Sequence, residues 1–225
     1  MLYRLTKSKF ILGLKCEKAL YLDVYRPKLA HFAPETLKKF REGRLFETRI
    51  KSLFPNAIDL SLQLGRQINK YPILTSQLLE QEGEINIYEA GFVFNEVLVL
   101  ADVVHKSANG EISVYEIKNS LSIKDVFIND LNLQYYVISH CVDNISSFSL
   151  VYNDGNDNPV YEERLKEAQK AESNIAEKVE RFKDVIQGFE PDIKPGDHCG
   201  KPYDCPYRHY CEKNNAALLE FGNSQ

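Results

Sequence analysis

The segment from residue 97 to 118, VLVLADVVHKSANGEISVYEIK, constrains this chain more than any other. Its first run, Val97 to His105, is apolar and β-branched on both faces, the pattern of a strand covered on both sides. Its second run, Glu111 to Lys118, alternates, with Ile112, Val114, Glu116 and Lys118 sharing a face. Asn109-Gly110 between them predicts a hairpin, because both residues tolerate positive φ. Asp102 is the exception within the first run. A carboxylate among Leu98, Val99, Leu100, Val103 and Val104 is costly to bury unless a cation or a donor meets it.

The parity of the turn decides what Asp102 can meet. A two-residue turn would pair Val103 with Glu116 and send Asp102 to the other face. A three-residue turn, Ala108-Asn109-Gly110 with a left-handed glycine, pairs Ser107 with Glu111, Asp102 with Glu116 and Leu100 with Lys118. Opposed residues approach to about 4.5–5.5 Å at Cβ, close enough for two carboxylates to share one divalent ion. Lys118, on the same face as Glu116, is placed to serve a water or a phosphate beside that ion. An ordinary hairpin with a satisfied Asp and a snorkelling Lys is the alternative from these three residues alone.

Around this hairpin the chain reads as alternating helices and strands. A helix is expected over 6–22, then one over 35–53 that carries Gly43 and Glu47 and ends before Pro55. Residues 85–94 read as a strand with Gly91 as a bulge, 123–141 as a helix placing Asp130 and Gln134 on one stripe, and 148–152 as a short strand. A charged helix over 159–188 stops at Gly188, Pro191 and Pro195. The 225 residues suffice for one domain with its own core. No apolar run approaches the roughly 18 residues that span a bilayer, and the N-terminal run is broken by Lys15, so a membrane partner and a signal peptide are not expected and a cytoplasmic protein is. The net charge of −4 hides an asymmetry: the first 51 residues hold 13 Lys and Arg against 5 Asp and Glu. That basic region suits a phosphate-tracking surface, or simply a solvated helix face.

Five cysteines in such a chain do not suggest disulfides. Cys199, Cys205 and Cys211 share one stretch rich in Gly and Pro, GDHCGKPYDCPYRHYC, which has the character of a metal-binding loop. Cys16 is the natural fourth ligand and Cys141 the odd one out, expected as a buried apolar residue. Zinc suits four thiolates too, with His198 or His209 as substitutes, although paired Cys-x2-Cys is absent.

Asp102 followed by Glu116-Ile117-Lys118 on the next strand resembles the signature of the PD-(D/E)XK nuclease superfamily. The upstream helix with Gly43 and Glu47, Gln134 after the Glu-x-Lys strand, and cysteines at both ends resemble its RecB-like iron–sulfur branch, which includes CRISPR-associated exonucleases. Together these features cover residues 7–211. Three departures stand out: Glu47 replaces the branch's usual histidine, Ile138 stands where Gln-x-x-x-Tyr needs tyrosine, and the loop is Cys-x5-Cys-x5-Cys, not Cys-x2-Cys-x5-Cys. The resemblance implies an α/β fold on the restriction-endonuclease-like plan. A mixed sheet of four or five strands would lie between helices, in a single domain over 1–225, with Cys16 and 196–211 closing the ends over a 4Fe–4S cluster. It implies Mg²⁺- or Mn²⁺-dependent hydrolysis of DNA, with single-stranded ends as substrate. Asp102, Glu116, Glu47 and the Ile117 carbonyl would be ligands, Lys118 would act on the water or phosphate, and Gln134 would hold Lys118 or contact the strand. A non-catalytic nucleic-acid-binding module of this fold, or a zinc-stabilised interaction domain, are the alternatives.

Overall fold

The computed structural model describes residues 4–156 and 158–214. The chain forms β1 (Leu5–Thr6), α1 (Lys7–Lys15), α2 (Glu17–Tyr25), α3 (Pro34–Lys51), β2 (Ile58–Asp59), α4 (Leu60–Leu64), α5 (Tyr71–Leu79), β3 (Ile85–Phe94), β4 (Val97–Lys106), β5 (Ile112–Lys118), α6 (Asp125–Ile138), β6 (Ile145–Asn153), β7 (Pro159–Glu163) and α7 (Leu165–Gln187). Seven strands make one mixed, open sheet in the order β2-β3-β4-β5-β6-β7, with β1 added on β4. This is an α/β fold with more strands than the four or five expected. The extra ones are short: β1 and β2 have two residues each, too few to leave a periodic signal.

Tertiary contacts divide the chain into two compact units, Met1–Lys7 with Lys38–Glu177, and Ser8–Leu37 with Lys178–Gln225. The first holds the sheet. Phe46 and Ile50 of α3 bury themselves against Val103, Ile117 and Val151 on one face. Side chains alternate along strands, so Glu116 points the other way, where Gln134 of α6 meets it. Gly91 on β3 is required by close approach: a Cβ there would lie 2.5 Å from the Tyr71 Cβ and 2.9 Å from its backbone carbonyl carbon. The bulge expected at Gly91 does not form: Gly91 pairs with Leu100 and the β3–β4 register runs unshifted past Glu89, whose φ is 56°.

Two helices differ from expectation. The one expected over 6–22 is broken at Cys16, which adopts an extended backbone (φ −165°, ψ 121°) and caps α2. The one expected from residue 159 begins only at Leu165, because residues 159–163 pair with β6 and the Glu163 carboxylate accepts the Leu165 N–H at 2.8 Å. That leaves α7 starting at a side-chain cap, which a search for apolar periodicity does not detect.

Candidate metal centre

The hairpin register is the one that parity selected. Pairs Val103↔Tyr115, Val104↔Val114, His105↔Ser113 and Lys106↔Ile112 run down to Ser107, whose N–H meets the Glu111 carbonyl at 3.0 Å. Gly110 has φ 85°, as a three-residue turn requires. The ladder then stops before it reaches Asp102 and Glu116. β4 and β5 part, and the Ile117 N–H donates 2.7 Å to the Asp102 carboxylate. The outer edge of β4 passes to β1, with Leu5 and Thr6 pairing parallel to Val97 and Leu98. The sheet therefore forks at Asp102, and the expected Leu100–Lys118 pairing does not form.

Two further carboxylates reach Asp102. Glu47 of α3 and Glu89 of β3 each place an oxygen so that all three residues' ligand atoms lie within 4.8 Å of one another. Glu89 would stand opposite Asp102 in the β3–β4 register, where pairing skips from Tyr88↔Val103 to Ala90↔Ala101. Lys51 donates 2.6 Å to Glu47 and 2.6 Å to Glu89. With all groups ionised, three carboxylates and one ammonium leave a charge of minus two, which one divalent cation cancels. Burial and the Glu116 charge push the Asp102 carboxyl well above its ordinary range. Burial also raises Glu89, against the pull of Lys51. A bound cation would favour the ionised form of both carboxyls and so bring them back toward the ordinary range.

Glu116, expected to share the ion with Asp102, stands outside this triangle. It is fully buried, and its oxygens are taken by donors: Lys7 at 2.9 and 3.1 Å, Lys118 at 2.5 Å and Gln134 Nε2 at 2.7 Å. Burial opposes its charge, but Lys118 and Lys7 outweigh it and hold the carboxyl far below the usual range. Lys118 also donates 2.6 Å to Asp130 of α6. Gln134 thus holds Glu116, and the partner fixing Lys118 from that helix is Asp130. Ile117 gives its N–H to Asp102 while its side chain enters the α3-facing core.

Four residues of this site were not anticipated: Lys7, Lys51, Glu89 and, as a partner, Asp130. Glu89 carried the signal that marked Asp102, a lone carboxylate inside the apolar run INIYEAGFVF. Asp130 lies one turn before Gln134 on the same stripe. Lys7 carried none, since only the two-residue strand β1 delivers it to the fork.

The same helix that bears Glu47 is basic and exposed before it. Lys39, Arg41 and Arg44 lie on the surface of α3 without an ion-pair partner among the described residues. An open cleft elsewhere, lined among others by Ser76, Glu80, Lys106 and Cys141, contains none of these groups.

The four cysteines lie in the second unit. Cys199 and Cys205 are buried with Leu12, Ala19, Leu22 and Tyr207, and Cys16 and Cys211 pack against them. Lys15 braces the loop by donating to the carbonyls of His198 (2.8 Å), Lys201 (2.9 Å) and Tyr203. The Tyr207 hydroxyl donates 3.0 Å to Asp23. Burial raises the Cys205 thiol and pushes Cys211 up to about 11. Cys141, expected to be buried, is exposed, because α6 ends at Ile138 before reaching it; it lies in the first unit with its thiol against the Val93 carbonyl at 3.4 Å. Among the described residues no helix is long and apolar enough to cross a membrane.

No family model matches the sequence, and no curated protein matches it. One solved structure, described as the crystal structure of SSO0001, is similar over 84% of this chain and 78% of its own length, at 14% identity and a TM-score of 0.42.

Proposed function

We propose that this protein is a metal-dependent nuclease that hydrolyses DNA phosphodiester bonds at single-stranded ends, of the RecB-like iron–sulfur branch of the PD-(D/E)XK superfamily. The observation that carries the reading is the fork in the sheet. It brings Asp102 within ligand range of Glu47 and Glu89, beside a lysine held by Glu116 and Asp130. The donor set is all oxygen, which suits a hard cation such as Mg²⁺ or Mn²⁺. Asp102, Glu47 and Glu89 would hold that ion, with the Ile117 carbonyl as the ligand that the resemblance adds, while Glu116 holds Lys118 beside it. The ion supplies a Lewis acid that activates a water and offsets charge on the phosphate.

The protein's own groups divide the remaining work. Lys118 donates to the attacking water or to a phosphate oxygen, and Asp130 fixes its ammonium for that task. Water oxygen bonds to phosphorus as the bond to the leaving sugar oxygen breaks, and the water's proton passes to solvent while the leaving oxygen gains one. Arg41 and Arg44, on the helix that carries Glu47, supply charge for the phosphate chain leading there.

In the second unit, Cys16, Cys199, Cys205 and Cys211 would hold a 4Fe–4S cluster that fastens the two ends of the chain. Zinc on the same thiolates is the alternative, and the absence of a paired Cys-x2-Cys is what weighs against it.

The test is cleavage of an end-labelled single strand by protein purified without oxygen. Hydrolysis should require Mn²⁺ or Mg²⁺ and stop with chelator or with Asp102→Ala. Binding of the strand with no cleavage under any divalent ion would leave the non-catalytic binding module as the function.

A further inference from the structure

The site contains a second lysine that the Glu-x-Lys pattern does not include. β1 pairs with β4 at Val97 and Leu98, so the next residue, Lys7, enters the fork where β5 has left the edge of β4. Its ammonium donates 3.3 Å to the Leu100 carbonyl and 2.9 and 3.1 Å to the two Glu116 oxygens, and it stands 4.0 Å from Asp130. Lys118 bonds the same Glu116 oxygen and the other Asp130 oxygen. Two ammoniums and two carboxylates thus alternate around a ring. The ring is polarised by depth: the carboxylate side chains are 1% and 8% exposed, the lysines 22% and 21%. Of the four side chains, the two lysines are the ones that solvent reaches. Both nitrogens contact one oxygen atom, so they are close enough together to grip the two non-bridging oxygens of a single phosphate.

Lys7 balances the charge of the second buried carboxylate, and it also sets a second ammonium beside that of Lys118. Lys118 and Gln134 already supply Glu116 with two donors. The two ammoniums repel each other, Glu116 and Asp130 offset that repulsion, and an arriving phosphate would add a further anion between the same two cations. We propose that Lys7 is a second phosphate-contacting residue, acting with Lys118 as a diammonium clamp on the phosphate next to the Glu47–Glu89–Asp102 centre, with Glu116 and Asp130 as the frame that aims the pair. This rests on the nuclease reading for the identity of the phosphate, but the clamp itself can be tested without turnover.

The probe is a deoxynucleoside 3′,5′-bisphosphate, titrated calorimetrically into the full-length protein with Ca²⁺ present, alongside a Ca²⁺ titration without it. Lys7→Ala should weaken the bisphosphate at least tenfold and leave Ca²⁺ affinity undiminished, while Lys7→Arg, which keeps the charge, should recover most of the binding. In Mn²⁺, cleavage of a labelled strand by Lys7→Ala should fall about 100-fold, largely in kcat. If Lys7→Ala does not fold, Lys7→Gln, which keeps a donor for Glu116 but no charge, carries the same measurement. Bisphosphate affinity within twofold of wild type in the neutral variant overturns the clamp. So does a wild-type protein that does not bind the bisphosphate. A wild type that binds it, loses it with Lys7→Ala and yet cleaves nothing upholds the clamp while removing the nuclease reading.

Discussion

Asp102→Asn should make the metal-free protein more stable and the metal-bound protein less so. The amide keeps an oxygen for the Ile117 N–H, so the hydrogen bond at the fork survives. What disappears is a charge that burial and Glu116 disfavour and that lies within 4.8 Å of the Glu47 and Glu89 oxygens. One such like-charge pair costs about 3 kcal/mol at an effective dielectric of about 20. Lys51 and partial protonation offset much of that, leaving a gain of roughly 1–2 kcal/mol for the variant. For a chain of this size that is a rise of roughly 2–8 °C in Tm. Metal reverses the order. At a hundred times Kd, Mn²⁺ stabilises the wild type by about 2.7 kcal/mol, roughly 5–11 °C. A variant whose Kd is a hundredfold weaker gains only about 0.4 kcal/mol at the same concentration. The pH dependence follows from the sign of the shift. A carboxyl whose folded pKa is raised costs nothing below its unfolded value of about 3.9 and costs progressively more as pH climbs through the folded value. The variant's metal-free advantage should therefore vanish near pH 4 and be largest at neutral pH. Differential scanning calorimetry with Mn²⁺ or EDTA measures both effects. A metal-free variant that melts below wild type, or equal stabilisation of both proteins by Mn²⁺, would refute the reasoning.

Other outcomes follow from single contacts. Cys16→Ser should lose iron and lower the thermal midpoint together, since binding energy at such a centre is folding energy, whereas Cys141→Ser should retain the full complement on iron analysis. Gly91→Ala drives a Cβ into Tyr71 backbone and should cost about 1–3 kcal/mol, read as a lower urea midpoint. The Glu163 carboxyl is held below its ordinary range: burial works against it, but the Ser147 hydroxyl and the N–H groups of Leu165 and Phe148 prevail. Its contribution is present above about pH 4.3 and is lost as pH falls below that, so Glu163→Gln should lower the urea midpoint at pH 7 by the equivalent of about 1 kcal/mol or less and match wild type near pH 3.

The sequence carried the centre of the fold because strand pairing has a parity. A centre shared by Asp102 and Glu116 required a turn that put both on one face, and the register has that parity. Parity says nothing about where a ladder ends. Its end at Val103 and Tyr115 turned an expected carboxylate pair into a fork, with Glu116 surrounded by lysines and Glu89 in its place beside Asp102. Lys7 was illegible for a related reason, since a strand of two residues has no period to detect. Cys16 was recognised as a ligand candidate but not as a helix break, because its neighbours on both sides continue the same apolar pattern.

The most direct test of the central claim is single-turnover cleavage by Lys118→Ala with its metal site filled. Lys118 is proposed to act on water or phosphate and not to hold the ion, so the variant should bind Mn²⁺ as the wild type does, by electron paramagnetic resonance of the free ion. It should cleave a labelled single strand at least a hundredfold more slowly. Cleavage at near the wild-type rate with the site filled would contradict the account.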